Sequence, residues 1–123
     1  MATPEGKIKR WIDTMLKGYA PYVWFFPPQA GPYGGSGVHD RVGCAYGLFF
    51  SVEAKADATC KMTARQELLR DKIIAAGGKF FLVYDKETLN EVRLWLDGLS
   101  AVQVLNGDQP SPYRMDPGEV RLN

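Results

Sequence analysis

The chain has 123 residues, of which 46% are hydrophobic and 24% charged, with a formal net charge of +1. This composition describes one ordinary globular domain with enough apolar material for a sizeable core. It excludes a general affinity for polyanions carried by net charge, a membrane span (no apolar run approaches the required length), and a CxxC metal or redox site.

Cys44 and Cys60 fit free thiols in a reducing cytoplasm, the alternative being a secreted disulfide that nothing else in the sequence supports. Met1-Ala2-Thr3-Pro4-Glu5 lacks the apolar core of a signal peptide, so a cytoplasmic protein is expected.

A helix is predicted over Pro4 to Lys17. Thr3 is a good N-cap and Pro4 suits the first helical position. Ile8, Trp11, Ile12, Met15 and Leu16 recur at helical spacing, and Gly18 is a terminator. Lys7, Lys9, Arg10 and Lys17 lie around the other sides, either as a solvated face or as phosphate contacts. Glu5 has two readings: a carboxylate favoured by the helix dipole, or a third acid projecting into a cleft.

Tyr22 to Phe26 is aromatic and β-branched, a strand ended by Pro27-Pro28. The run Gln29 to Gly37 is too glycine-rich for regular structure. It is either a connector or a loop whose bare amides let a phosphate backbone approach. Within it, Tyr33 either stacks on a base or covers the loop.

The stretch from Gly37 to Lys55 carries the strongest chemical signal. Arg41 to Ala45 and Leu48 to Ala54 read as strands joined by Tyr46-Gly47 as a two-residue loop. Counting from that loop pairs Ala45 with Leu48, Val42 with Ser51, and Asp40 with Glu53. Two carboxylates opposite one another on a strand pair would have Cβ atoms roughly 5 Å apart and would repel. A divalent cation between them reverses that sign, and hard oxygen donors suit Mg²⁺ or Mn²⁺. Lys55 falls on the same face as Glu53. Two acids and a fixed ammonium suit attack of water on a phosphodiester. The competing reading is a charged strand end at a solvated rim, without metal.

Lys55 to Lys61 is polar and loop-like. Thr63 and Gln66 form a capping box that opens a helix running to about Ala76, ended by Gly77-Gly78. Its expected buried stripe is Leu69, Ile73 and Ala76, widened by Leu68 and Ile74. Gln66 is thereby explained as a cap. Its alternative is to sit beside the acids and orient Lys55, the water or a phosphate. Lys79 to Tyr84 is a strand expected to run parallel to the one from Leu48, and Lys86 to Leu99 a helix burying Leu89, Val92, Leu96 and Leu99. The segment 106–123, with Pro110, Pro112 and Pro117, reads as an irregular arm on a single domain whose core spans about 3–99.

The order of elements and acids resembles the PD-(D/E)xK nuclease superfamily, and within it the virus-type replication-repair (VRR-NUC) nucleases, including small stand-alone phage and bacterial forms. Thr3-Pro4-Glu5-Gly6, Gly34 to Asp40, Val52-Glu53-Ala54-Lys55, Thr63-Ala64-Arg65-Gln66 and Gly77-Gly78 carry the match. It covers residues 3 to about 84. One departure is His39, where the family usually has proline before the metal-binding Asp. His39 is first a tolerated replacement, and second a phosphate contact or proton carrier.

The resemblance implies an α/β fold with a small mixed sheet flanked by helices. It implies Asp40, Glu53 and the Ala54 carbonyl as ligands of Mg²⁺ or Mn²⁺, with Glu5 assisting through a water. Lys55 would position or activate the nucleophile and Gln66 would support the cluster. Lys7, Arg10, Tyr33, Ser36, His39 and Arg65 would face DNA. The implied activity is a metal-dependent endonuclease acting on branched or junction DNA as a homodimer, like Holliday-junction resolvases. A non-catalytic DNA-binding module is the alternative, and a protein-interaction subunit using Tyr22 to Phe26 a third.

Overall fold

The computed structural model describes residues 3–29 and 37–105, with the side chains of 104 and 105 excepted. In order the elements are α1 (Pro4–Lys17), β1 (Val23–Phe26), β2 (Arg41–Ala45), β3 (Leu48–Ala54), α2 (Ala64–Ala75), β4 (Lys79–Val83) and α3 (Lys86–Leu105). One sheet runs β1-β2-β3-β4. The first three strands are antiparallel, and β4 is parallel to β3. The expected α/β fold, a small mixed sheet with flanking helices, is therefore the one observed.

The core lies on one face of the sheet. Ile8, Ile12 and Leu16 of α1 cluster with Phe50, Val52 and Ala54 of β3, Phe81 and Val83 of β4, and Val92 and Leu96 of α3. Alternation along β3 sends Ser51 and Glu53 to the opposite face, yet both are also buried. A central strand covered on both sides is what lets a carboxylate reach the interior here.

The β2–β3 hairpin follows the predicted register. Tyr46 (φ 50°) and Gly47 (φ 87°) both take positive φ, as a two-residue turn matched to strand twist requires. Ala45 pairs with Leu48, Val42 with Ser51 and Arg41 with Val52.

Four expectations need correction. β1 begins at Val23 rather than Tyr22. Tyr22 sits in a turn instead: its amide donates to the Tyr19 carbonyl at 2.9 Å, and its ring stacks on Tyr46. β4 ends at Val83, because the Tyr84 amide leaves the ladder and donates to Thr88 Oγ1 at 3.0 Å. α3 continues to Leu105, past the expected end at Leu99, since Ser100 to Leu105 contains neither Gly nor Pro to stop it. In α2 only Ile73 is buried, while Leu68 is 55% and Ile74 54% exposed and Ala76 is also exposed. α2 packs chiefly over β4 at the sheet's edge, and that limited contact needs a narrower stripe than the sequence offers.

Gly43 allows the close approach of β1 to β2. A Cβ there would strike the Trp24 carbonyl oxygen and lie 2.8 Å from Phe25 Cα. Both obstacles are backbone, so neither can rotate away. Gly43→Ala is expected to destabilise the fold by about 1–3 kcal/mol through overpacking, read as a lower midpoint in urea unfolding. An unchanged midpoint would show that β1 can withdraw freely.

Candidate active site

Because Arg41 pairs with Val52, the residue before β2 falls beside the residue after Val52. That places Asp40 next to Glu53, and two backbone hydrogen bonds lock the pair. The Asp40 amide donates to Glu53 Oε1 at 3.1 Å, and the Ala54 amide donates to Asp40 Oδ2 at 2.8 Å. Each carboxylate is thus held by the backbone of the other's strand. Neighbouring residues on a strand send their backbone groups to opposite edges. The Lys55 amide bonds β4 at Val83. The Ala54 carbonyl therefore opens on the same edge as Asp40.

Lys55 and Gln66 complete the cluster. Lys55 Nζ lies 3.2 Å from Glu53 Oε2 and donates to Gln66 Oε1 at 3.1 Å. Gln66 Nε2 donates to Glu53 Oε2 at 2.7 Å. The same Gln66 Oε1 accepts from the Thr63 amide at 2.9 Å, closing the capping box. The two readings of Gln66 are therefore one: the cap of α2 is also the bridge between Glu53 and Lys55. An ammonium has three N–H donors, so Lys55 retains one beyond these two partners.

Glu53 is only 3% exposed. Burial, followed by the nearby Asp40 charge, pushes its pKa up to about 7, against the opposing pull of Lys55. A buried acid beside a second acid is the arrangement a bound cation relieves.

His39 holds this face together from behind. It is 1% exposed. Its Nε2 lies 2.8 Å from the Gln66 carbonyl and its Nδ1 2.8 Å from Ser51 Oγ. A carbonyl only accepts, so Nε2 carries the proton. Burial lowers the His39 pKa, and the neutral ring then accepts from Ser51 at Nδ1. Of the readings for His39, the geometry matches a structural replacement, since neither ring nitrogen is left for a phosphate. Just upstream, Gly37 (φ +98°) presses on the first turn of α2, where a Cβ would strike Arg65.

α1 is moored to the site by Arg41. Its guanidinium takes Asp13 with Nε–Oδ1 at 2.6 Å and Nη2–Oδ2 at 2.9 Å, and donates to the Asp40 carbonyl at 2.7 Å. Lys9, one helical turn before Asp13, then reaches Asp40. Its Nζ lies 3.2 Å from Asp40 Oδ1 and 3.2 Å from Glu5 Oε2. Burial opposes the Lys9 charge, but the Asp40 and Glu5 carboxylates outweigh it and raise its pKa. Glu5 thus joins the site through Lys9. Among the described residues no three His, Cys, Asp or Glu side chains converge as a ready metal cluster.

The chain matches no family model and no curated protein. Among solved structures it is similar to one described as a VRR_NUC domain, at 20% identity and a TM-score of 0.64, over 74% of this chain and 95% of that one. The fold is that of a VRR-NUC domain.

On this VRR-NUC fold the structure brings together Glu53, Asp40, Ala54, Lys55 and Gln66, with Glu5 linked to Asp40 through Lys9. Lys7 is elsewhere: its ammonium lies 5.2 Å above the Trp11 ring, on the flank where Lys86 also meets that ring. Arg10 and Arg65 are exposed. Tyr33 and Ser36 lie outside the described residues. Sequence reasoning missed Lys9, Asp13, Arg41 and Ser51 as parts of the site. For Lys9 a signal existed: it follows Glu5 by four residues and lies beside Leu16 on the helix wheel, at the edge of the buried stripe.

The raised Glu53 pKa fixes the sign of a pH effect. Between its ordinary 4.5 and about 7 the folded chain holds a proton at Glu53 that the unfolded chain has lost. This contribution to stability is present at low pH and is lost as pH rises through that window. The stability of Glu53→Gln minus that of the parent should therefore grow from pH 4.5 to about 7 and then level off, as measured by cation-free urea unfolding. A flat difference would contradict the buried, proton-retaining acid.

Proposed function

We infer that the chain is a divalent-metal-dependent nuclease that hydrolyses phosphodiester bonds in DNA. The observation that carries this reading is the interlocked set of Asp40, Glu53, Lys55 and Gln66 on a VRR-NUC fold. The donors fit Mg²⁺ or Mn²⁺ by type: two carboxylates and the Ala54 carbonyl, all hard oxygens. Such a cation, when bound, would act as a Lewis acid on the phosphoryl group and increase the acidity of water.

The chain's own residues have separable tasks. Asp40 and Glu53 would hold the cation, with the Asp40 carboxylate preset by the Ala54 amide and the Glu53 carboxylate by the Asp40 amide. Lys55 directs its remaining N–H toward the phosphate or the attacking water, and stabilises negative charge gathering on the phosphoryl oxygens. Gln66 keeps Lys55 and Glu53 in register. Water forms a new bond to phosphorus, the bond to one sugar oxygen breaks, and a phosphate monoester and a hydroxyl end result. The proton of the water leaves to solvent or to the carboxylate cluster, and the departing sugar oxygen takes up a proton from solvent.

The finer reading is a structure-selective endonuclease acting on branched or four-way DNA as a homodimer, whose two sites could cut two strands symmetrically. Arg10 and Arg65 are candidates for phosphate contact, with Glu5 a supporting acid. The compartment in keeping with this reading is the cytoplasm of a bacterial or phage-infected cell. No helix among the described residues is long and apolar enough to cross a membrane.

A second reading, a DNA-binding module without turnover, is favoured by one observation. Lys9 and Lys55 already neutralise the carboxylate pair. Tight binding of four-way DNA with no cleavage under any divalent metal would select it.

A panel of linear, flapped and four-way DNA in Mg²⁺ or Mn²⁺ tests the leading reading. Cleavage is expected with the four-way substrate preferred, and to stop in EDTA. Asp40→Ala, Glu53→Ala and Lys55→Ala should each lower the rate by roughly 100-fold or more while circular dichroism stays native. Full activity in EDTA or in all three variants would defeat it. Because a cation must displace the Glu53 proton, its affinity should fall by up to about tenfold per pH unit below neutrality. Calorimetric affinity independent of pH between 5 and 7 would contradict that competition.

A further inference from the structure

The two lysines that flank the carboxylate pair are held differently. Lys55 is only 12% exposed and is fixed by Glu53 and Gln66. Lys9 is 32% exposed and, among the described residues, is held by Glu5 and Asp40, each at 3.2 Å. Asp40 Oδ2 is committed to the Ala54 amide. The other oxygen, Oδ1, is the one Lys9 occupies. A cation recruited to Asp40 Oδ1 must therefore compete with an ammonium already there.

Lys9 has somewhere to go. Glu5 is its partner at i−4 on α1, so it can release Asp40 without losing its counter-charge. α1 need not move, since Arg41 and Asp13 moor it independently. We propose that Lys9 is a built-in counter-ion: it neutralises Asp40 in the cation-free protein and is displaced from Asp40 Oδ1 when a divalent cation binds. This rests on the nuclease reading, and it assigns Lys9 a part in cation occupancy rather than in bond cleavage. Its consequence is that the affinity for the cation is set lower than the carboxylates alone would make it. The displaced ammonium also remains at the site's rim, where a phosphate can meet it.

The test is Mn²⁺ binding without DNA, by calorimetry, on the parent, Lys9→Met, Lys9→Arg and Asp40→Ala. Lys9→Met should lower the Mn²⁺ Kd by about fivefold or more, because a competing positive charge is gone. Lys9→Arg, which keeps the charge, should stay near the parent. Independently, the side-chain ammonium resonance of Lys9, assigned by its loss in Lys9→Arg, should shift on titration with diamagnetic Mg²⁺. This second readout stands even if Lys9→Met folds poorly. Mn²⁺ binding that Asp40→Ala abolishes but Lys9→Met leaves unchanged or weakens would overturn this inference alone, as would an unmoved Lys9 resonance in a protein that binds Mg²⁺. A parent that takes up no Mn²⁺ would overturn the nuclease reading together with it.

Discussion

Two reciprocal hydrogen bonds hold the site: Asp40 amide to Glu53 Oε1, and Ala54 amide to Asp40 Oδ2. They bind two like charges side by side, which the bare strand pair would disfavour. The cost is visible in Glu53, whose burial next to Asp40 moves its titration to about 7. It is offset by amides, one carboxamide and two ammonium groups, so no buried side-chain polar atom among the described residues lacks a partner. A half-satisfied version of this cluster would be worse than an apolar one, because unpaired buried charge is strongly destabilising.

Everything upstream in the fold serves that contact. A one-residue slip in the β2–β3 hairpin would send Glu53 to the core face among Phe50, Val52 and Ala54. The positive-φ pair Tyr46 and Gly47 prevents the slip from one end. His39 prevents it from the other, since its ring spans Ser51 on β3 and the Gln66 carbonyl on α2. Arg41 adds the third fixed point by tying α1 to the start of β2. The site is thus rigid where charge is buried. It is looser on the α1 side, where Glu5 and Lys9 are partly exposed.

What was legible in the sequence follows from range. The hairpin register needed only the turn and a count of two-residue steps, and the capping box needed only Thr63 and Gln66. Both are local, and both are seen. The Lys9 to Asp40 contact and the Arg41 to Asp13 pair join α1 to β2, and no local pattern encodes how a helix docks on a sheet. Lys9 reads locally as part of a solvated face or a phosphate contact, and no local pattern marks Asp13 or Arg41. α2 misled for a related reason: its apolar residues are numerous enough for a broad buried face, but only tertiary packing decides that Leu68 and Ile74 stay outside. His39 reads as a tolerated replacement or a phosphate contact and not as a buried tie, because its partner Ser51 lies twelve residues away and gives no sign of a buried hydroxyl.

The central claim is that Asp40 and Glu53 share one cation beside Lys55. Anomalous scattering from crystals grown with Mn²⁺ addresses it directly, because it locates the ion without reference to catalysis. One strong peak is expected between the two carboxylates, next to the Ala54 carbonyl, with Lys55 still bound to Gln66. Mn²⁺ at saturating concentration with no peak there, or a peak at Glu5 with Asp40 and Glu53 untouched, would contradict it.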